Sequence, residues 1–305
     1  MIIKGITCQS GGKKTSTGRY INEDAITYFE VKTIDKTYKF IILMDGATGL
    51  GRNFEIVKEQ TPAEWYVSYM MKKLKSELSI NPTKPLELAI QNSITKIAND
   101  INKYEKENNI ILKEYEKPSA SLSLLRTDGI TTEIYLIGDL ETIVVQTDGK
   151  VLRVDNPNQK AVQSLDQKVL KRMVLIAKEK NCNVLDVRNY PEIETMLQDN
   201  RSKKNREVED GYWVCGTNSE IIEHGVSVAF DNSKITDIIL ASDGFDYSLL
   251  KLNENSVYEQ VKQYGTDFVA KLIRNIEEED EFCNKNPRFK KGDDLTVIHM
   301  DYIGR

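Results

Sequence analysis

Short apolar runs separated by polar turns dominate much of the chain and predict β-strands. Two of these runs meet at Asp128-Gly129, and two more meet at Asp148-Gly149. Asp-Gly between alternating apolar runs is a strong short signal for a β-hairpin, so the middle of the chain is expected to form antiparallel sheet. The runs that predict strands are 25–32, 37–44, 119–154, 212–215, 235–241 and 295–302.

Helical periodicity marks other stretches of the chain. Thr61, followed by Pro62 and then by Glu64, has the residue types of a capped helix start, and the stretch 81–85 breaks the helix that follows. A second helix is predicted over 86–104, and the two helices should pack as an antiparallel pair over a sheet. Near the C-terminus a further helix is predicted from the apolar stripe of Val257, Val261, Phe268, Leu272 and Ile276.

Residues from about 160 to 210 look like an insertion in a single domain that spans 1–305. An apolar stripe from Val162 to Ile176 predicts a helix at its start. Residues 199–210 are densely charged, and we expect this stretch to be solvated and mobile.

The composition narrows the class of protein. The 305 residues include 42 Lys and Arg against 47 Asp and Glu, and this balance argues against a nucleic-acid partner, which would require a basic face. The apolar runs are far shorter than the ~20 residues that cross a bilayer, so we expect neither a membrane partner nor a signal peptide. The four cysteines are widely spaced, which predicts reduced thiols and a cytoplasmic protein.

The candidate chemistry lies in acidic residues at the ends of apolar runs. An acid at the rim of a buried strand is poorly hydrated, and several acids at one rim repel one another unless a cation lies between them. Oxygen ligands without histidine or thiolate favour Mg²⁺ or Mn²⁺. The acids in such positions are Glu23, Asp24, Asp45, Asp139, Asp243 and Asp293.

Asp-Gly is also a common turn, and the chain contains five such pairs. The pairs at Asp128 and Asp148 lie between half-polar alternating runs, and we interpret both as simple hairpin turns. Asp45-Gly46 and Asp243-Gly244 follow fully apolar runs and lead into loops before helices. Taken alone, each of these two pairs leaves a turn and a metal ligand open as alternatives.

Five motifs occur in order along the chain: Arg19 with Asn22-Glu23-Asp24-Ala25, Asp45-Gly46-Ala47-Thr48-Gly49, Gly138-Asp139, Ser242-Asp243-Gly244-Phe245 and Asp293-Asp294-Leu295-Thr296. Together they resemble the protein phosphatase 2C family, the metal-dependent Ser/Thr phosphatases, over nearly the whole chain (5–302). The resemblance implies an α+β fold, a four-layer α-β-β-α sandwich of two antiparallel sheets flanked by helix pairs. It also implies hydrolysis of phosphoserine and phosphothreonine in proteins by a hydroxide that bridges a dinuclear Mn²⁺ or Mg²⁺ centre.

The resemblance assigns a role to each matching acid. Asp45 would bridge two metal ions with help from the Gly46 carbonyl, and Asp243 and Asp293 would complete the first metal site. The remaining ligands would be Glu23 and Asp24 on the second metal, largely through its waters, and Asp139 on a third, weaker metal.

The resemblance also implies the contacts with substrate. Arg19 matches the family's phosphate-binding arginine, whose guanidinium fork meets two phosphate oxygens at once. The partners would be phosphorylated proteins, substrates of a Ser/Thr kinase. The insertion at about 160–210 occupies the region of a mobile flap in bacterial relatives, and we hypothesise that it gates or selects phosphoprotein substrates.

Several positions depart from the family pattern. Ala47 stands where many members have a histidine proposed as general acid, Leu140-Glu141 follows Asp139 where Ser-Arg is frequent, and Asp294 replaces the usual Asn. Asp246 lies one residue early for the family's second acid in that region. Ala47 keeps open a pseudophosphatase that binds a phosphoprotein or a kinase. A metal-dependent phosphohydrolase of nucleotides or small metabolites is the other alternative.

Overall fold

The computed structural model describes residues 1–51 and 54–303, and in them the chain forms two five-stranded antiparallel sheets. The strands are β1 (Ile2–Gln9), β2 (Asp24–Lys32), β3 (Thr37–Ala47), β4 (Ser119–Thr127), β5 (Thr131–Ile137), β6 (Glu141–Gln146), β7 (Val151–Arg153), β8 (Val226–Asp231), β9 (Ile235–Ala241) and β10 (Leu295–Asp301). The first sheet has the order β2-β3-β4-β5-β8, and the second has the order β1-β10-β9-β6-β7.

Six α-helices accompany the sheets in the described ranges: α1 (Pro62–Ile80), α2 (Leu86–Glu107), α3 (Pro157–Lys180), α4 (Pro191–Ser202), α5 (Glu254–Tyr264) and α6 (Thr266–Glu279). The predicted start of α1 is confirmed. The Thr61 hydroxyl accepts a hydrogen bond from the Glu64 N–H at 3.1 Å, and the Glu64 carboxylate accepts one from the Thr61 N–H at 2.9 Å. This capping box satisfies two N–H groups that the first turn of a helix leaves without partners.

Alternation along β3 explains how two sheets pack between two layers of helices. Phe40, Ile42 and Met44 belong to the cluster that includes the inner faces of α1 and α2. Ile41 and Leu43 point the other way, into the apolar layer between the sheets. A separate cluster joins α5 and α6 to the outer face of the second sheet. The four-layer α-β-β-α fold is therefore confirmed, and β3 is apolar from Phe40 to Met44 because both faces of that stretch are buried.

Both predicted hairpins are present, but they belong to different sheets. The turn at Asp128-Gly129 joins β4 to β5, and the turn at Asp148-Gly149 joins β6 to β7. The chain crosses from the first sheet to the second between these hairpins, at Gly138-Asp139. This crossing places Asp139 where the ends of the two sheets meet.

The segment predicted as an insertion (about 160–210, called the insertion below) has its own apolar cluster, built mainly from α3, α4 and the turn between them. Phe289, from the loop between α6 and β10, packs against this cluster. The same loop holds the turn at residues 181–187: the Val184 N–H donates to Asn284 Oδ1 at 3.0 Å, and the Leu185 N–H donates to the Phe282 carbonyl. The insertion is thus attached to the segment that leads into β10.

The strand predicted at 212–215 is wrong. Cys215 forms only an isolated bridge to Ala120, because β5 occupies the edge of β4 from Leu122 onwards. The edge position beside β5 belongs instead to β8, which the periodicity did not reveal, and β1 was also missed.

The single helix predicted over 257–276 is also wrong, because the chain forms two helices there. Gly265 lies between α5 and α6. Its φ of 89° is a backbone conformation that glycine adopts at little cost. Phe268, predicted in the buried stripe, is 40% exposed, whereas its neighbour Val269 is buried.

The expectation that 199–210 is solvated fails at one residue. Lys204 is only 2% exposed, and its ammonium donates to the Lys117 carbonyl at 3.0 Å. No helix in residues 1–51 and 54–303 combines the length and apolar character needed to span a bilayer.

Candidate active site

The register of the first sheet places Asp45 beside Asp24. In the β2–β3 pair Asp24 lies directly opposite Asp45, and in the β3–β4 pair Asp45 lies opposite Ser121. The N–H of Gly46 donates to the Glu23 carbonyl at 3.0 Å. A Cβ atom on Gly46 would come within 2.6 Å of that carbonyl oxygen, so the close approach of the two segments requires glycine here.

Most of the predicted metal ligands line one cavity of about 510 Å³. They reach it from separate parts of the fold, because Asp45 lies near the end of β3, Asp243 follows β9, Asp293 precedes β10 and Asp139 lies at the crossing between the sheets. Asp24, opposite Asp45 on the neighbouring strand, does not line the cavity. The predicted residues in the cavity wall are Glu23, Asp45, Gly46, Asp139, Asp243 and Asp293.

Asp45 and Asp243 are strongly perturbed acids. Burial raises the pKa of Asp45 well above its ordinary value, and the charges of Asp24 and Asp243 raise it further. Burial and the charge of Asp293 likewise raise the pKa of Asp243. Each of these two acids is therefore harder to ionise than a solvated aspartate, and a bound cation would relieve their mutual repulsion.

Asp139 is held in place by Ser121 of β4. The Ser121 hydroxyl donates to Asp139 Oδ1 at 2.5 Å and accepts from the Asp139 N–H at 3.1 Å. Gly138 has φ of 91°, and a Cβ atom there would lie 2.1 Å from the Ser121 oxygen. Burial raises the pKa of Asp139, although the hydrogen bond from Ser121 lowers it in part.

Asp24 has one carboxylate oxygen without a partner among the described residues. Oδ2 accepts from the Ser242 hydroxyl at 2.7 Å, whereas Oδ1 is buried and has no hydrogen bond. Burial raises the pKa of Asp24 to about 7, despite the hydrogen bond from Ser242. The neighbouring Glu23 carboxylate accepts from the hydroxyls of Thr48 and Thr61.

Lys290 reaches these acids from the loop between α6 and β10. Its ammonium forms an ion pair with Asp293. Burial lowers the pKa of Lys290, but the charges of Asp293, Asp243 and Asp45 together outweigh burial and raise it. Sequence reasoning missed Lys290, since a lysine in a charged loop carries no periodic signal; only its place three residues before Asp293 could have suggested a role.

The insertion also contributes charged groups to the cavity wall. Arg188 lies between α3 and α4, Arg201 lies in α4, and both line the cavity together with Asp166 of α3. Burial and the charge of Asp139 together raise the pKa of Asp166 to about 7, although Arg201 lowers it in part. These residues were also missed, because only the packing of α3 and α4 brings them to the acids.

Arg19 does not line the cavity. Its guanidinium forms a two-pronged ion pair with Glu64, with Nη1–Oε1 at 2.7 Å and Nη2–Oε2 at 2.9 Å. Nη2 also donates to the Glu59 carbonyl at 2.5 Å. Glu64 belongs to the capping box of α1, so Arg19 is tied to the start of that helix. Its role as a phosphate ligand stays a prediction, and it requires Glu64 to release the guanidinium.

Two other acids near the cavity have structural contacts. Asp294 accepts from the Gly11 N–H on Oδ1 and from the Glu23 N–H on Oδ2, both at 2.7 Å. A carboxylate suits two donors on its two oxygens, whereas asparagine could accept on only one side. Asp246 accepts from the N–H and hydroxyl of Ser248 and caps a short turn, a contact that accounts for it without a metal.

The donor chemistry of the site fits a hard divalent cation. The acids are crowded and poorly hydrated, they come without histidine or cysteine, and Oδ1 of Asp24 lacks a partner in the described part of the chain. No three acidic, histidine or cysteine side chains within 1–51 and 54–303 form a ready-made ligand group. The carboxylates engage donors of the chain itself instead, such as Lys290, Ser121 and Ser242.

Comparison with solved structures identifies the fold. A bacterial serine phosphatase matches with a TM-score of 0.55 at 15% identity, covering 100% of this chain and 99% of that one. Serine/threonine phosphatase Stp1 from Staphylococcus aureus matches with a TM-score of 0.53 at 16% identity, covering 99% and 95%. The chain has the fold of these phosphatases.

A third structure adds information on metals. The catalytic domain of the serine threonine protein phosphatase PstP, solved in complex with two manganese ions, matches with a TM-score of 0.52 at 14% identity. The match covers 97% of this chain and 96% of that one. Neither a scan against protein-family models nor a search of curated proteins finds a match to the sequence.

Proposed function

We propose that the chain is a metal-dependent protein phosphatase of the protein phosphatase 2C family, which hydrolyses phosphoserine and phosphothreonine in proteins. The observation that carries the proposal is the convergence of Asp45, Asp243 and Asp293 from three separate strand ends in one cavity. Burying acids together costs stability, and a fold keeps them where they serve a function. The shared fold with solved phosphatases supports the same assignment.

Two divalent ions would be held by the acids of the cavity. Asp45, Asp243 and Asp293 are the proposed ligands of the first ion. Glu23 and Asp24 would hold the second largely through its waters, and Asp24, which does not line the cavity, could act only in that way. The manganese ions in the PstP structure support Mn²⁺, while Mg²⁺ and a third ion at Asp139 stay predictions. When bound, such ions neutralise phosphoryl oxygens and lower the pKa of a bound water, which speeds an otherwise extremely slow hydrolysis.

Side chains of the protein would recognise the phosphoprotein and provide the environment of the leaving group. Arg188 and Arg201 line the cavity from the insertion, which supports the hypothesis that this segment selects phosphoproteins made by a Ser/Thr kinase. Ala47 also lines the cavity and has no proton to give. The leaving-group oxygen is therefore expected to take its proton from water or another side chain, and substrates with poor leaving groups should react slowly.

The test compares two Asp-Gly pairs of the same chain. Hydrolysis of an aryl phosphate, a phosphothreonine peptide and a nucleotide is measured with and without Mn²⁺ for wild type, Asp45→Asn and Asp148→Asn. Asp148 is exposed at a hairpin tip, so its replacement controls for the substitution itself. Asp45→Asn should lower the Mn²⁺-dependent rate by roughly 10³-fold, and Asp148→Asn should leave it within about twofold of wild type.

The outcomes separate the alternatives. Equal background rates for wild type and Asp45→Asn would favour the pseudophosphatase that Ala47 keeps open, a module that binds a phosphoprotein or a kinase without cleaving it. Preferred turnover of the nucleotide would favour a small-molecule phosphohydrolase. Mn²⁺-dependent cleavage of the peptide over the nucleotide is the result that the proposal expects.

A further inference from the structure

Lys290 contributes a positive charge to the wall of the cavity that the acids line. Its ammonium is paired with Asp293, and Asp243 and Asp45 line the same cavity as Lys290. The side chain is 56% exposed, so Lys290 borders the cavity from its solvent side. Lys290 also lines both cavities that meet at Asp243 and Asp293.

The loop that carries Lys290 is rigidly built. Asp280, at the end of α6, accepts backbone hydrogen bonds from Asn284 and Asn286 at 2.8 Å. Arg288 closes the loop, since it donates to the Asp280 carboxylate at 2.9 Å and to the Glu277 and Asp280 carbonyls. The loop is therefore fixed two residues before Lys290.

The loop is also held on both sides of the lysine. Phe289 packs into the apolar cluster of the insertion. On the other side, Arg274 donates to the Asp293 carbonyl at 2.8 Å. The position of Lys290 thus follows from its anchored neighbours rather than from a free chain segment.

We propose that Lys290 competes with divalent cations for Asp293, in the cavity that it shares with Asp243 and Asp45, and thereby lowers the metal affinity of the site. The ammonium and a metal ion cannot neutralise the same carboxylate oxygens at once, and they repel each other. A metal ion must therefore break the ion pair of Lys290 before it can bind. This inference rests on the proposed function in one respect, the assignment of these acids as metal ligands.

The adjacent lysine provides a matched control. Lys291 pairs with Glu281 at 3.3 Å, and it does not line the cavity of the acids. Lys290→Met and Lys291→Met change the net charge of the protein equally and lie one residue apart. Only the first substitution removes positive charge from the acids, so a difference between the two variants reports on that contact alone.

The experiment uses the full chain after metal removal with a chelator. Mn²⁺ binding is titrated calorimetrically, and thermal unfolding is recorded with and without Mn²⁺. Lys290→Met should lower the dissociation constant for Mn²⁺ by about tenfold, a typical size for residues that touch metal ligands. Without metal this variant should melt below wild type, because its acids lose their internal counter-charge, and Mn²⁺ should raise its melting temperature more than that of wild type. Lys291→Met and Lys290→Arg should bind Mn²⁺ like wild type.

Unchanged or weaker Mn²⁺ binding by Lys290→Met would overturn the competition, as would an equal effect of Lys291→Met. Lys290→Gln guards against a folding defect of the methionine variant and should show the same tighter binding. If wild type itself shows no saturable Mn²⁺ binding, the proposed function fails at its metal site. Saturable binding by wild type that is insensitive to Lys290 would instead sink this inference alone.

Discussion

The aspartate of an Asp-Gly pair has a lowered pKa at one place in the molecule and a raised pKa at another. At the hairpin tip Asp128 is paired with Lys36 at 2.6 Å, and although burial raises its pKa, Lys36 and the N–H groups of the turn lower it to about 2. At the meeting point of the sheets, burial and neighbouring carboxyls raise the pKa of Asp45 well above its ordinary value. Asp-Gly by itself therefore indicates neither turn nor site.

The difference lies in how each aspartate acquires its neighbours. The turn around Asp128 is largely local, since Ile130 and Thr131 supply N–H groups to the same carboxylate. Asp45 acquires Asp243 from a strand end almost 200 positions further along the chain. The N–H groups of a local turn stabilise the charge of its own aspartate. The convergent acids repel one another instead, and a bound cation would be needed to offset that repulsion.

The largest expected effect contrasts two glycines. Gly138 and Gly149 both have φ near 90°, but a Cβ atom on Gly138 would meet the Ser121 oxygen at 2.1 Å, whereas one on Gly149 would meet nothing within 4 Å. Gly149→Ala should cost about 1–2 kcal/mol from the backbone conformation alone. Gly138→Ala should cost at least about 3 kcal/mol, because the clash adds to the same strain. Chemical denaturation measures both, and equal losses would contradict the crowding at the acids.

The second prediction concerns the free energy of unfolding when the aspartate of an Asp-Gly pair loses its charge, at the cavity and at a hairpin turn. In metal-free protein at pH 8, Asp243→Asn should raise the free energy of unfolding by about 2 kcal/mol, because it removes an acid whose charged form burial disfavours. Asp128→Asn should lower it by up to about 1 kcal/mol, because it removes the partner of Lys36 at a solvated site. Denaturant unfolding of both variants tests the opposite signs. Mn²⁺ should stabilise Asp128→Asn but not Asp243→Asn.

The pH dependence of stability gives a smaller effect. An unfolded aspartate titrates near pH 4, and the folded pKa of Asp166 is about 7, so the stability that its protonated form provides is complete below about pH 4 and is lost as the pH rises through 7. Metal-free wild type should therefore be less stable at pH 8 than at pH 5. Asp166→Asn should reduce that difference by about 1–2 kcal/mol. Asp148→Asn, at an exposed turn, should leave it unchanged.

The smallest predicted effect is the loss of stability when either of two acids outside the cavity, Asp294 or Asp246, is replaced by asparagine. Asp294→Asn should cost about 1 kcal/mol, because an amide can accept from only one of the two N–H groups that the carboxylate now satisfies. Asp246 accepts both of its hydrogen bonds on Oδ1, so Asp246→Asn should cost less than about 0.5 kcal/mol. Thermal unfolding of both variants checks the contrast. A larger loss for Asp246→Asn would mean that its turn matters more than its contacts indicate.

Much of the fold could be predicted because its signals are local. The capping residues around Thr61, the stripes of α1 and α2, and both Asp-Gly hairpins depend on residues a few positions apart. The break at Gly265 was also local and was overlooked, whereas the error at 212–215 arose because a distant partner decided the outcome. The segment at 212–215 has strand-like residues, but β5 already occupies most of the edge of β4 that it would need.

The candidate site also contains residues that the sequence indicated and contacts that it did not. The ordered motifs selected six acids, and five of them line one cavity. The sixth, Asp24, lies opposite Asp45 in the β2–β3 pair and does not line the cavity. No motif indicated that Lys290 pairs with Asp293 or that Glu64 holds Arg19.

The sequence by itself determined which residues could form strands, helices and turns, and it placed acids where apolar runs end, because these properties follow from spacing along the chain. Only the tertiary structure decided which acids meet, which cation faces them and how the insertion borders them. Those contacts join segments that are far apart in the chain, and their energies depend on burial and on register, neither of which exists until the two sheets have packed.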